Sequence, residues 1–173
     1  MILLQITGLS GSGKTTLASK AKAALSLASH PAIVLDGDEM RKTLSKDLGF
    51  EAQDRIENNR RIGDLGLNLM QAGNIVLMAT INPYEKCRLE LKSKSEHVYT
   101  VWLQARIESL IERDPKGLYR KAIHLNTIKL SGINDPYEIP EHPDLVLHTD
   151  KESVEVSSQK LLDFIYSKLQ MVK

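Results

Sequence analysis

The stretch GLSGSGKT, Gly8 to Thr15, constrains this chain more than any other. It fits G-x-x-x-x-G-K-[ST], the phosphate-binding loop of ATP- and GTP-using enzymes. Gly8, Gly11 and Gly13 lack a β-carbon, so the backbone can fold tightly and turn its N–H groups onto phosphate oxygens. Lys14 is placed to reach the β- and γ-phosphates, and the Thr15 hydroxyl to hold Mg²⁺. The flanks agree. Ile2–Thr7 is an apolar, β-rich run, and Thr16–Leu27 is rich in Ala and Leu with no Pro or Gly. Strand, loop and helix is the order the motif requires, and the helix dipole adds positive potential at the phosphates. The loop thus predicts ATP with Mg²⁺, cradled by Gly8, Ser10, Gly11, Ser12, Gly13, Lys14, Thr15 and Thr16.

Beyond the loop, strand and helix signals alternate. Ala32–Asp36, Asn74–Ile81, Val98–Leu103 and Asp144–His148 are short apolar runs that read as buried strands. Helices are predicted over Glu39–Ser45, Asp54–Ala72, Pro83–Lys94, Ile107–Arg113 and Ser153–Leu169. The apolar stripe predicted for the long helix is Ile62, Leu65, Leu69 and Ala72. Continuous apolar strands separated by helices imply an α/β fold, a five-stranded parallel sheet covered on both faces. Residues 114–143 hold four of the six prolines and are too long for a plain connection, which suggests a lid. The 173 residues suit a single domain, 1–173.

The bulk numbers narrow the function classes. Twenty-three Lys and Arg against 22 Asp and Glu give a net charge of +1, so no polybasic signal points to nucleic acid or a membrane surface. No apolar run approaches 18 residues, and the N-terminal run reads as a strand rather than a signal peptide. The one cysteine, Cys87, reads as a half-buried helix residue and fits a reducing, cytoplasmic compartment.

In parallel α/β sheets, ligands bind beyond the carboxyl ends of the strands. Gly8 follows the first strand, Asp36 ends the second and Asn82 ends the third, so all three should line one crevice. Asp36 and Asp38 repel unless a cation or a substrate proton compensates. Asp38 can take a proton from an attacking hydroxyl or sit at the metal; it can also simply cap the next helix. Arg55 and Asn58 continue the inward stripe of the long helix with polar groups. An inward arginine needs an anion, which a ligand phosphate or sulfate supplies, as does an internal salt bridge to Asp54 or Glu57. Arg60 and Arg61 read as surface or ion-pair residues. Phe50, in a loop with Gly49, can stack on a base or tuck into the core. Arg113, Lys116 and Arg120 put positive charge on the insert, either as a solvated face or against a transferring phosphoryl group.

GLSGSGKTT, LDGDEMR, DLGF, DRIENNRRI, INPY, RDPKGLY and SGINDPYEIP, in that order, resemble the adenylylsulfate kinase (APS kinase) family over nearly the whole chain. The resemblance implies a P-loop kinase fold. The implied reaction moves the ATP γ-phosphoryl to the 3′-hydroxyl of adenosine 5′-phosphosulfate. It implies that Asp38 is the catalytic and metal-site carboxylate beside Asp36, and that Arg41, Arg55 and Asn58 hold the phosphosulfate. Phe50 is then the adenine stack, Lys116 acts from the lid, and a homodimer is the implied assembly.

Two departures from the family pattern stand out. Asn82 replaces a serine that carries a phosphate in some members, so that modification is excluded here. Lys129-Leu130-Ser131-Gly132 replaces the family's K-G-F-T-G with one residue fewer, so that Leu130 stands nearest the position of the family's Phe, the second adenine wall, and that aromatic wall is lost. A similar kinase acting on the ribose 3′-hydroxyl of cytidine diphosphoramidate is therefore the alternative. A GTPase-like switch is disfavoured, because the chain has no N-K-x-D guanine motif.

Overall fold

A computed structural model describes residues 1–125 and 127–171, so residue 126 of the insert and residues 172–173 at the chain end lie outside the described residues. Five strands form one sheet: β1 (Leu3–Thr7), β2 (Ala32–Asp36), β3 (Ile75–Ala79), β4 (Val98–Gln104) and β5 (Leu145–His148). Their order across the sheet is β2-β3-β1-β4-β5, and every pairing is parallel. The phosphate loop thus leaves the central strand, which is buried from end to end.

The helices are α1 (Lys14–Leu27), α2 (Gly37–Lys42), α3 (Ala52–Gln71), α4 (Glu85–Ser93), α5 (Ile107–Arg113), α6 (Leu118–Arg120) and α7 (Val154–Met171). Side-chain alternation along β1 divides the core. Ile2, Leu4 and Ile6 pack with Leu17 and Leu25 of α1 and Leu161 and Ile165 of α7. Leu3 packs on the opposite face with Ile62 and Met70 of α3 and Leu91 of α4. Both faces are covered, which is why the strands read as uninterrupted apolar runs. Among the described residues no helix is long and apolar enough to cross a membrane.

The face of α3 differs from the predicted stripe. Ile62 is buried, Leu65 and Leu69 are half-buried, and Ala72 is exposed. The buried line instead runs through Asn59, Ile62, Gly63, Gly66 and Met70. A β-carbon on Gly66 would lie 2.7 Å from Leu3 Cδ1, and one on Gly63 3.0 Å from Leu91 Cδ1. The helix sits so close to its neighbours that Gly63 and Gly66, beside the predicted stripe, carry part of the buried face.

The insert packs a small core against α5. Tyr119, Ala122 and Leu130 are buried with Leu110 of α5, and Leu9 of the phosphate loop packs against them. A one-turn helix, α6, runs into a π-helical turn at Lys121–Leu125, and Ser131 and Asp135 form an isolated bridge. At the insert's far end Arg88, 1% exposed, donates to the carbonyls of Asn82 and Glu138, each at 2.6 Å, and pairs with Glu85. Cys87 is half-buried on α4, and burial pushes its thiol up, away from reactivity.

Candidate active site

The loop owes its shape to close packing at one end and a left-handed residue at the other. A β-carbon on Gly8 would meet the Leu103 carbonyl oxygen at 2.7 Å, so β4 leaves no room for a side chain. Gly13 caps α1 at φ 93°, in the left-handed region that glycine enters without strain. The first turn of α1 then presents Lys14, Thr15 and Thr16 to a cavity of about 670 Å³. Ser10, Gly11 and Gly13 also line it. Gly8 and Ser12 are buried behind the loop rather than in the wall.

Lys14 folds across its own loop, donating to the carbonyls of Gly8 at 2.9 Å and Leu9 at 2.8 Å. Burial, then the charge of Lys116, lowers its pKa from 10.5 to about 8. Asp36 and Asp38 raise it only in part.

Asp36, at the end of β2, caps α2 by accepting from the backbone N–H groups of Asp38 at 2.9 Å and Glu39 at 3.3 Å. Its other oxygen accepts from the Thr15 hydroxyl at 2.6 Å. The capping role open to Asp38 in the sequence therefore belongs to Asp36. The Asp38 carboxylate is left to reach across the cavity, where it meets the Lys116 ammonium from the insert.

The insert is fastened to the loop by a contact the sequence did not announce. The Tyr119 hydroxyl, fully buried, donates to the Ser10 carbonyl at 2.9 Å. Burial pushes that phenol up to about 12, so it stays a donor. Asp114 accepts from the N–H groups of Tyr119 and Arg120 and sets the turn that presents Lys116. The one available signal was RDPKGLY, where Arg113 and Lys116 invited a functional reading and Tyr119 did not.

Phe50 is 59% exposed and lines the cavity, so it is no core residue. The Arg41 guanidinium lies 4.4 Å from its ring centroid and donates to the Gly49 carbonyl at 2.6 Å. Arg41 does not form part of the cavity wall, and burial, then the charge of Arg55, lowers its pKa. Arg55 does line the cavity, as its helical position predicted. Its partner is neither Asp54 nor Glu57 but Asp135 of the insert, at 3.1 Å. Arg60 and Arg61 form surface ion pairs with Glu57, Asp64 and Asp47, as expected.

Three predicted residues are placed differently from their expected roles. Asn58 is buried with Oδ1 unpartnered and does not line the cavity. Asn82 is also buried, at φ 41°, its Nδ2 donating to Gln5 Oε1 at 3.3 Å beneath the site. β3 stops at Ala79, and Thr80 and Ile81 take the cavity wall in its place. Leu130 reaches the cavity but is only 4% exposed, because the insert's apolar cluster claims most of its surface.

The donors beside the loop are hard oxygens: the Thr15 hydroxyl and the Asp36 and Asp38 carboxylates. Such a set fits Mg²⁺, which takes one or two carboxylates and keeps waters and phosphates for the rest. Among the described residues no group of three or more His, Cys, Asp or Glu side chains gathers as a cage for another metal.

Comparisons with known proteins agree with this geometry. A sequence model of the adenylylsulphate kinase family matches residues 1–148. The adenylyl-sulfate kinase of Myxococcus xanthus is 42% identical over 165 residues, covering 93% of this chain and 89% of that protein. A probable adenylyl-sulfate kinase of Bacillus subtilis is 40% identical over 169 residues, covering 96% and 86%. The APS kinase of Mycobacterium tuberculosis, solved in complex with AMPPNP and APS, superposes with a TM-score of 0.90 at 34% identity, covering 95% of this chain and 97% of that one. The chain is a member of the adenylylsulphate kinase family.

Proposed function

We propose that the chain transfers the γ-phosphoryl group of ATP to the ribose 3′-hydroxyl of adenosine 5′-phosphosulfate, giving ADP and 3′-phosphoadenosine 5′-phosphosulfate. One observation carries this reading. Lys14, Thr15 and Asp36 share a single cavity with Asp38, Lys116, Phe50 and Arg55. That cavity holds both a phosphate cradle and a separate aromatic wall for a second nucleotide.

ATP enters with its phosphates on the loop, and Lys14 exchanges the Gly8 and Leu9 carbonyls for phosphate oxygens. Thr15, Asp36 and Asp38 are the residues that would hold Mg²⁺. When bound, Mg²⁺ offsets charge on the β- and γ-phosphate oxygens. The acceptor base stacks on Phe50, whose ring Arg41 backs. Arg41 and Arg55 are the guanidinium groups beside that ring, and they place positive charge near the acceptor's 5′ anion. Asn82 acts from beneath, tied to Gln5, while Asn58 keeps an unpartnered buried Oδ1 outside the cavity wall. Asp38 takes the 3′-hydroxyl proton as the new O–P bond forms and the bond to the β-phosphate breaks. Lys116 moves from Asp38 to the transferring phosphoryl group, making residues 114–143 a lid over one kinase domain.

A second reading keeps this chemistry and changes the acceptor to cytidine diphosphoramidate. It is favoured by the aliphatic wall that Ile128 and Leu130 supply where the family pattern has an aromatic. The unpaired Cys87 supports a reducing, cytoplasmic setting, and a homodimer completes the reading. The test is nucleotide turnover with and without acceptor. A kinase consumes ATP in step with a 3′-phosphorylated product, and turnover with water alone would remove the reading.

A further inference from the structure

Arg55 makes three ties at once. Its Nε donates to the Phe50 carbonyl at 2.9 Å and lies 3.1 Å from Asp135 Oδ2. Its Nη2 donates to the Lys129 carbonyl at 3.1 Å. The first carbonyl belongs to the residue whose ring forms one part of the cavity wall. The second belongs to the segment that supplies Ile128 and Leu130 to the same cavity. One planar guanidinium therefore sets the distance between two pieces of wall that lie far apart in sequence.

The pair is well sheltered, with the Arg55 and Asp135 side chains 7% and 11% exposed. Asp135 is in turn fixed by its own turn, where its carbonyl accepts from Gly132 N–H at 2.8 Å. An outer link, Lys129 to Glu51 at 2.6 Å, joins the same two segments but is exposed and correspondingly weak. Asp135 does not line the cavity; its carboxylate also accepts from the Ser131 hydroxyl at 3.5 Å, within its own segment, and its link across to Phe50 runs through Arg55.

We infer that Asp135 is a positioning residue for the acceptor: through Arg55 it fixes the spacing between Phe50 and the Ile128–Leu130 segment, and so the width of the slot that receives the acceptor's base. The inference rests on the reading of Phe50 as the base stack. Its physical content is the steep distance dependence of packing. A gap opened by about 0.5–1 Å forfeits a quarter to a half of the contact attraction. A purine, with the larger face, loses more than a pyrimidine. Loosening the pair should therefore weaken purine acceptors selectively, while leaving the phosphate cradle and Asp38 in place.

The test compares wild type with Asp135→Asn, which removes the charge, and Asp135→Glu, which keeps it on an arm one methylene longer. Asp135→Asn is expected to raise KM for adenylylsulfate about tenfold, with kcat and KM for ATP within about twofold of wild type. Its preference for adenylylsulfate over the cytidine acceptor should fall as well. Asp135→Glu should show the same pattern at about threefold, and it carries the test if the Asn variant does not fold. Hydrogen exchange should rise in residues 48–51 and 127–131 together in Asp135→Asn. A merely structural role predicts that kcat, both KM values and Tm move together, which would overturn the inference, as would an unchanged acceptor KM. The exchange measurement needs no acceptor. If wild type phosphorylates neither nucleotide, the functional reading fails, while exchange still decides whether Asp135 holds the two segments.

Discussion

Lys116 of the insert and Asp38 beyond β2 meet across the cavity as an ion pair, with side chains 54% and 68% exposed. Exposed pairs contribute about 0–1 kcal/mol to stability, so this contact is poorly explained as a structural device. It places the residue read as the base against the residue read as the phosphoryl clamp, before either has a ligand to act on.

Asp38→Asn is therefore expected to lower kcat by about 10²–10⁴-fold. Lys116→Ala should lower it by about 10²–10³-fold, the usual cost of one charge-stabilising donor. In both variants Tm should stay within about 2 °C of wild type. Steady-state kinetics with a thermal melt reads both quantities. Wild-type turnover in either variant removes that residue from its role.

The lowered pKa of Lys14 predicts a pH dependence of nucleotide binding. The free side chain sits at about 8, held down chiefly by burial. Phosphate charges favour the ammonium form, so its pKa rises in the complex. Binding then takes up protons above pH 8 and weakens as pH rises further, with little linkage below pH 7. Calorimetry at pH 8.5, in two buffers of different ionisation enthalpy, measures the uptake directly. Proton release, or none, contradicts the assignment.

Arg88 is the strongest purely structural prediction. Its guanidinium is buried against Glu85, the Asn82 carbonyl after β3 and the Glu138 carbonyl of the insert. Arg88→Ala takes the cation from the buried side of Glu85 and a donor from both carbonyls, and is expected to cost about 3–5 kcal/mol in urea unfolding. A loss below about 1 kcal/mol would mean that solvent already reaches the pair.

Tyr119→Phe tests the fastening of the insert. It keeps the ring in its apolar cluster and strands the Ser10 carbonyl, at a cost of about 1–3 kcal/mol. Since Ser10 is in the loop, KM for ATP should rise as well. Destabilisation with an unchanged ATP constant would separate the fastening from the cradle.

The parts of this protein that were legible in its sequence are those fixed by local chemistry. The phosphate loop carries its glycines and lysine within eight residues, and five apolar runs gave a parallel sheet. The 3.6-residue period alone aimed Arg55 into the site. Its partner was not legible, because nothing local ties it to Asp135, across the fold in the insert. The face of α3 departs from its apolar period because Gly63 and Gly66 mark close approach, which apolar side chains do not report. Strand spacing puts Asn82 at the end of β3, but the strand stops at Ala79 and the asparagine, at positive φ, lies buried outside the cavity wall. The capping role fell to Asp36 because the helix begins at Gly37, two residues before the predicted start.

The central claim is the acceptor, and one measurement tests it most directly. kcat/KM is compared for adenosine 5′-phosphosulfate and cytidine diphosphoramidate at saturating Mg·ATP, with the phosphorylated position of each product identified. The account predicts 3′-phosphorylation with adenosine 5′-phosphosulfate as the better substrate. A preference of about 100-fold for the cytidine compound, about 2.7 kcal/mol in transition-state binding, would contradict it.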